Sequence, residues 1–158
     1  MKKAIFLFAA VIGSYLLSDA QKVMNSANEV VGYITNEGVV LDSTYTTKGY
    51  FKDDGSILND NYVTIGYIKT DGSIRTVAGK KLGSISPEGL IYNAKKNHIG
   101  TISKNGELQD SKGLVVATMK DVEEELAAVS IFFFFKLAGS DYYNSPSPST
   151  TVSVTKSR

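Results

Sequence analysis

Over residues 30–119 apolar and polar positions alternate in short runs that recur every 17 residues. The runs VGYI, KGYF, IGYI, LGSI and IGTI set glycines at 32, 49, 66, 83 and 100, with Ala117 next in phase. Gly38, Gly55, Gly72, Gly89 and Gly106 form a second series on the same step. Two glycine series kept through five copies define an internal repeat. Each copy predicts one β-hairpin: an apolar run, four turn-type residues (TNEG, KDDG, KTDG, SPEG or SKNG), and a second apolar run. A type I turn closed by a residue with positive φ accounts for the turn glycine, because a Cβ is strained there. Pro87 stands where the fixed φ of proline suits such a turn.

Side chains of a strand point alternately to its two faces. In the first strand of each unit the repeat glycine shares a face with Ile34, Phe51, Ile68, Ile85, Ile102 or Met119. In the second strand Val40, Ile57, Ile74, Ile91 and Leu108 recur two places after the turn glycine. Both stripes are assigned to the interior. The other face carries Tyr33, Tyr50, Tyr67, Ser84, Thr101 and Thr118 and is expected to meet water. A lone hairpin is marginal in water. The fold class is therefore mainly β, with five tandem hairpins side by side in a shallow symmetric barrel. Residues 115–119 are in phase with a first strand, and Val23 and Met24 with a second. The two are expected to pair as a split sixth hairpin and so remove the open edges.

After Met119 the period breaks. Asp121, Val122, Glu123 and Glu124 have the form of a capping box. Glu123, Glu124 and Glu125 suit a first helical turn, where the helix dipole favours negative charge. Lys136 and Gly139 suit a last turn and its termination. Between them LAAVSIFFFF is apolar on every side, as in a buried or membrane helix. Its ten residues are too few to span a bilayer. A helix over 122–138 is thus expected to plug the barrel, the repeat glycines making room for four phenylalanines. A strand over 129–137 is the competing reading, since Ile and Phe favour strands; the cap and charge signals favour the helix. The Ser/Thr/Pro-rich stretch 140–158 is expected to be disordered.

The start of the chain changes the picture of where this domain works. Lys2 and Lys3 precede an apolar stretch over 4–17, and Ser18, Asp19 and Ala20 place small residues three and one before a cut. The stretch is shorter than the ~20 residues of a membrane span. A signal peptide over 1–20 is expected, with the mature domain over 21–139 beginning at Gln21. Loss of Lys2, Lys3 and Asp19 takes 17 basic and 16 acidic residues to 15 of each. That balance does not argue for nucleic acid, and export argues against cytosolic partners and nucleotides. With no Cys, disulfide and thiolate chemistry are excluded.

Candidate chemistry adds little. His98 is the only histidine, and one His does not make a metal site without a set of carboxylates. Asp53, Asp54 and Asp71 fall in turns, without the spacing of a calcium loop. No serine sits in a nucleophile elbow, and turn carboxylates this ordinary do not single out a glycosidase pair. No cofactor and no enzymatic activity are expected. One charge pattern stands out. Glu37, Asp53, Asp54, Asp71 and Glu88 lie at the hairpin tips, whereas Lys80, Lys81, Lys95, Lys96 and Lys112 lie at the connections between hairpins. Lys52, Lys69 and Lys104 dilute the separation. The basic end is a candidate anion- or lipid-binding surface for anionic lipid, lipopolysaccharide or acidic glycan. The plainer alternative is a solvated rim that keeps strand edges apart.

The glycine-punctuated hairpins over 30–121 resemble the 5-fold β-flower proteins, small exported bacterial proteins whose hairpins are arranged as petals. The architecture is also similar to the Tubby C-terminal fold, a barrel threaded by an apolar helix. The first resemblance implies a fold and an export route to the periplasm, outer envelope or medium, and no activity. The second suggests lipid binding by fold analogy alone, and no motif here carries it. Two function classes follow: an envelope-associated module binding lipid or glycan, and a structural or oligomer-forming assembly protein.

Overall fold

The structure, a computed structural model, describes residues 20–135. The expected leader, Lys136, Gly139 and the stretch 140–158 lie outside the described residues. Twelve strands form one closed antiparallel barrel in which each strand pairs with its sequence neighbours. They are β1 (Ala20–Asn25), β2 (Val30–Thr35), β3 (Val39–Asp42), β4 (Thr47–Phe51), β5 (Ser56–Asn59), β6 (Thr64–Ile68), β7 (Ser73–Thr76), β8 (Lys81–Ile85), β9 (Leu90–Asn93), β10 (His98–Ile102), β11 (Glu107–Asp110) and β12 (Val115–Thr118). The ring closes where β1 meets β12, Met24 opposite Thr118 and Asn25 opposite Ala117. This is the pairing expected of the two ends.

The turns explain why so short a repeat is enough. At the tips Gly38, Gly55, Gly72, Gly89 and Gly106 have φ between +74 and +81°. Each donates its N–H to the carbonyl three residues earlier, at 2.8–2.9 Å. The connections at the opposite end have the same geometry. The residues at 28, 45, 62, 79, 96 and 113 all have positive φ and bond back three residues at 2.9–3.1 Å. Where neighbouring hairpins pair, the register slips once, as between Val40 and Leu41. Such bulges bend strands and increase their twist, which curls short strands into a ring.

The inward stripes lie where the alternation puts them. Val40, Ile57, Ile74, Ile91 and Met119 are fully buried, and Ile34, Phe51, Ile85, Ile102 and Leu108 nearly so. Ile68 is the exception, at half burial. One helix, α1 (Glu124–Phe133), follows the barrel. It is shorter than the 122–138 expected. Asp121 takes φ +64°, which is not a capping conformation, and Glu123 precedes the helix without a side-chain cap bond. The capping box therefore does not form, although Glu124 and Glu125 do occupy the first turn. At the far end the N–H groups of Phe134 and Phe135 both bond to the Ser130 carbonyl, and the helix ends there. Residues 127–132 of α1 are buried. A Cβ built on Gly32, Gly49, Gly66 or Gly83 would run into the ring of Phe135, Phe134, Phe133 or Phe132 respectively. Four successive phenylalanines thus match four successive repeats, in reverse order.

Candidate functional site

The connection end of the barrel is built from one local device used six times. Asn25, Asp42, Asn59, Asn93 and Asp110 each turn Oδ1 onto two backbone N–H groups, two and four residues on, and Thr76 Oγ1 accepts the second of these bonds. This Asx geometry forms the turn locally and leaves its outer residues facing solvent. The Thr44 hydroxyl donates to Asp42 at 2.7 Å, and with the Thr46 amide it holds Asp42 below the usual carboxylate range.

Lys80, Lys95, Lys96 and Lys112 are exposed in these turns, on three connections that follow one another around the ring. Lys81 is placed differently from the expectation. It is the first residue of β8, opposite Arg75, and is half-buried. Its strand has already begun because the turn closes one residue earlier, at Lys80. Lys96 itself takes a positive φ of 65°. No carboxylate stands in the connections 76–81 and 93–98.

Sequence reasoning overlooked the apolar half of this end. The large apolar residues left exposed among the described residues are Tyr45, Tyr62, Val63, Val77, Leu114 and Val115, and all six belong to the connections or the first residue after one. Tyr45 and Tyr62 hold positive φ, a conformation costing roughly 1–2 kcal/mol for a residue with a Cβ. They stack on Tyr33 and Tyr50, with ring centroids 4.4 Å apart in both pairs. The neighbouring hydroxyl in each pair pushes Tyr33 and Tyr50 above the ordinary tyrosine range. Asx residues at a 17-residue spacing were the signal that would have marked these turns and the residues they expose.

The tip end has the opposite character. Asp54 and Glu88 are held below their ordinary range by the Ser56 and Ser86 hydroxyls. A cavity of about 420 Å³ opens between the first turn of α1 and the tips of the first two hairpins. Ile34, Phe51, Ile68, Val122 and Leu126 line it, and Glu37, Asp53, Asp121, Glu123 and Glu125 border it, with Lys52 the one cation there among the described residues. The helix packs closest to β8 and β10, which leaves this opposite side open and Ile68 half-exposed. His98 is exposed and contacts Thr101 at 3.1 Å. Among the described residues no group of three or more His, Cys, Asp or Glu is placed to hold a metal ion.

No curated protein and no solved structure matches the chain. Residues 20–136 match a family described as 5-fold beta-flower protein. The match spans all twelve strands and α1 and covers well over half of the 158 residues. The chain belongs to the 5-fold beta-flower protein family.

Proposed function

We propose that the protein is an exported, non-enzymatic binding module whose connection end settles on the anionic lipid surface of a bacterial envelope. In this reading five hairpins and the split sixth are the petals of a ring, and α1 is its central plug. The leader over 1–20 delivers the domain across the inner membrane.

The observation that carries the reading is that the six large apolar residues exposed among the described residues all lie at the end that also carries Lys80, Lys95, Lys96 and Lys112. Tyrosines and valines at a rim enter the headgroup region, and lysines beside them keep their charge in water while their stems cover apolar surface. Each lysine near an anionic surface adds on the order of 1 kcal/mol. Strands of four to six residues fall short of the ~9–11 that a membrane-crossing strand needs. No described helix is long and apolar enough to cross either. The domain in this reading rests on the membrane.

Co-sedimentation with vesicles tests the proposal. Phosphatidylcholine mixed with phosphatidylglycerol should carry the protein down, and phosphatidylcholine alone should not. Added salt and the variant Lys80→Glu/Lys95→Glu/Lys96→Glu/Lys112→Glu should both release it. Binding to neither vesicle, or binding indifferent to the variant, contradicts the reading. A dimer by light scattering that buries the rim would support the assembly class in its place.

A further inference from the structure

The cavity at the hairpin tips combines an apolar floor with a border of five carboxylates against one lysine. What fits it is a short segment carrying apolar and cationic side chains on one side. The last eight residues of the sequence, Thr151, Val152, Ser153, Val154, Thr155, Lys156, Ser157 and Arg158, have that pattern. In an extended chain side chains alternate between faces. Val152, Val154, Lys156 and Arg158 then share one face, and four hydroxyls the other. No acidic residue follows Asp141.

The connecting length is sufficient. Phe135 abuts Gly32, which pairs with Asp42 beside a connection, so the chain leaves α1 at the end opposite the cavity. The barrel wall is built of strands no longer than six residues, about 20 Å at ~3.3 Å per residue. Residues 136–150 reach up to roughly 50 Å at the same rise. That is enough to pass over the rim and return along the outside.

We propose that residues 151–158 dock as an extended strand in the tip cavity of their own molecule. Val152 and Val154 lie on the floor, and Lys156 and Arg158 meet the carboxylates of Glu37, Asp53, Glu123 and Glu125. A tether of this kind raises the local concentration of the segment to about the millimolar range, so a weak motif is held. The Ser/Pro-rich stretch before it serves as the tether. Docked in this way, residues 151–158 lie at the end of the barrel opposite the connection lysines.

The chain has no cysteine, so Ser157→Cys in the full-length protein supplies a single thiol for a nitroxide label. Amide signals of Glu37, Lys52, Asp53 and Glu125 should broaden, and those of Lys80 and Lys96 should not. Lys156→Glu/Arg158→Glu should abolish the broadening, and Glu123→Lys/Glu125→Lys on top of that pair should restore it. Labelled protein mixed with isotope-enriched, unlabelled protein should leave the enriched signals sharp. Broadening spread evenly or confined to the connection end overturns the proposal. So does broadening indifferent to the charge reversal, and broadening in the mixed sample assigns the docking to a second copy.

Discussion

Gly83 and Phe132 claim adjoining space: a Cβ on Gly83 would fall 2.6 Å from Phe132 Cζ and would also strike the Tyr92 carbonyl. The glycine is there because its lack of a side chain lets a phenyl ring reach the strand backbone. At the next-but-one repeat the in-phase residue is Ala117, fully buried, so the same methyl group is accommodated there. Gly83→Ala is therefore expected to destabilise the fold by about 1–3 kcal/mol, as overpacking does. Chemical denaturation of the variant checks this, and an unchanged midpoint would remove the glycine–phenylalanine match from the account.

Adjacent residues of one tip should respond in opposite ways. Gly72 has φ +74°, where a β-branched residue is an outlier, and its Cβ would meet the Ile85 carbonyl. Ser73 is extended, buried, and leaves Oγ without a hydrogen-bond partner. Val39 already stands at the equivalent place two hairpins earlier. Gly72→Val should lower the melting temperature sharply, whereas Ser73→Val should leave it level or raise it. Equal losses would contradict the turn geometry.

The carboxylate turns predict a direction for acid. Asp42, Asp54 and Glu88 sit below their ordinary range in the folded protein because hydroxyls bond to the charged form. A lowered folded pKa contributes stability above the unfolded value that is lost as pH falls through the carboxylate range. Stability should therefore decline on acidification below about pH 5. Asn25, Asn59 and Asn93 perform with an amide what Asp42 performs with a carboxylate. Asp42→Asn should fold normally at neutral pH and lose less on acidification. Melts at neutral and acid pH compare the two, and a steeper acid loss in the variant would be the contrary result.

The strand glycines, the inward stripes and the barrel's closure were legible because each rests on a rule of spacing: period 2 along a strand, 17 along the chain. The helix was legible as an apolar block, but its start was not. Asp121 and Glu124 satisfy a capping pattern that the chain cannot use, since the turn after Met119 forces Asp121 to positive φ. The connection turns escaped notice because their positive-φ places hold Tyr45, Tyr62 and Lys96 beside the expected glycines. With them escaped the exposed apolar rim. Counting put Lys80, Lys95, Lys96 and Lys112 on the connections, but it gave no sign of the apolar residues exposed at the same end. The tip cavity depends on how the helix packs against the strands, which no local pattern records.

The stacked tyrosines set a balance that a substitution can read. Tyr62→Gly relieves the positive φ, worth roughly 1–2 kcal/mol, and loses a ring pair worth about 0.5–1.5 kcal/mol. Stability should move by no more than about 1.5 kcal/mol in consequence, while vesicle binding should weaken. Unaltered binding would take Tyr62 out of the proposed docking surface.

The claim on which the rest depends is that the phenylalanine run fills the barrel against its glycines. Thermal unfolding of Phe132→Ala/Phe133→Ala, followed by circular dichroism with light scattering alongside, tests it most directly. Truncating the buried Phe132 costs about 3–5 kcal/mol and truncating the half-buried Phe133 adds a smaller loss, against roughly 5–15 kcal/mol for a whole domain. The account predicts a variant that has lost its cooperative transition or melts far below the unaltered protein. A variant that stays monomeric and melts at the same temperature would contradict it.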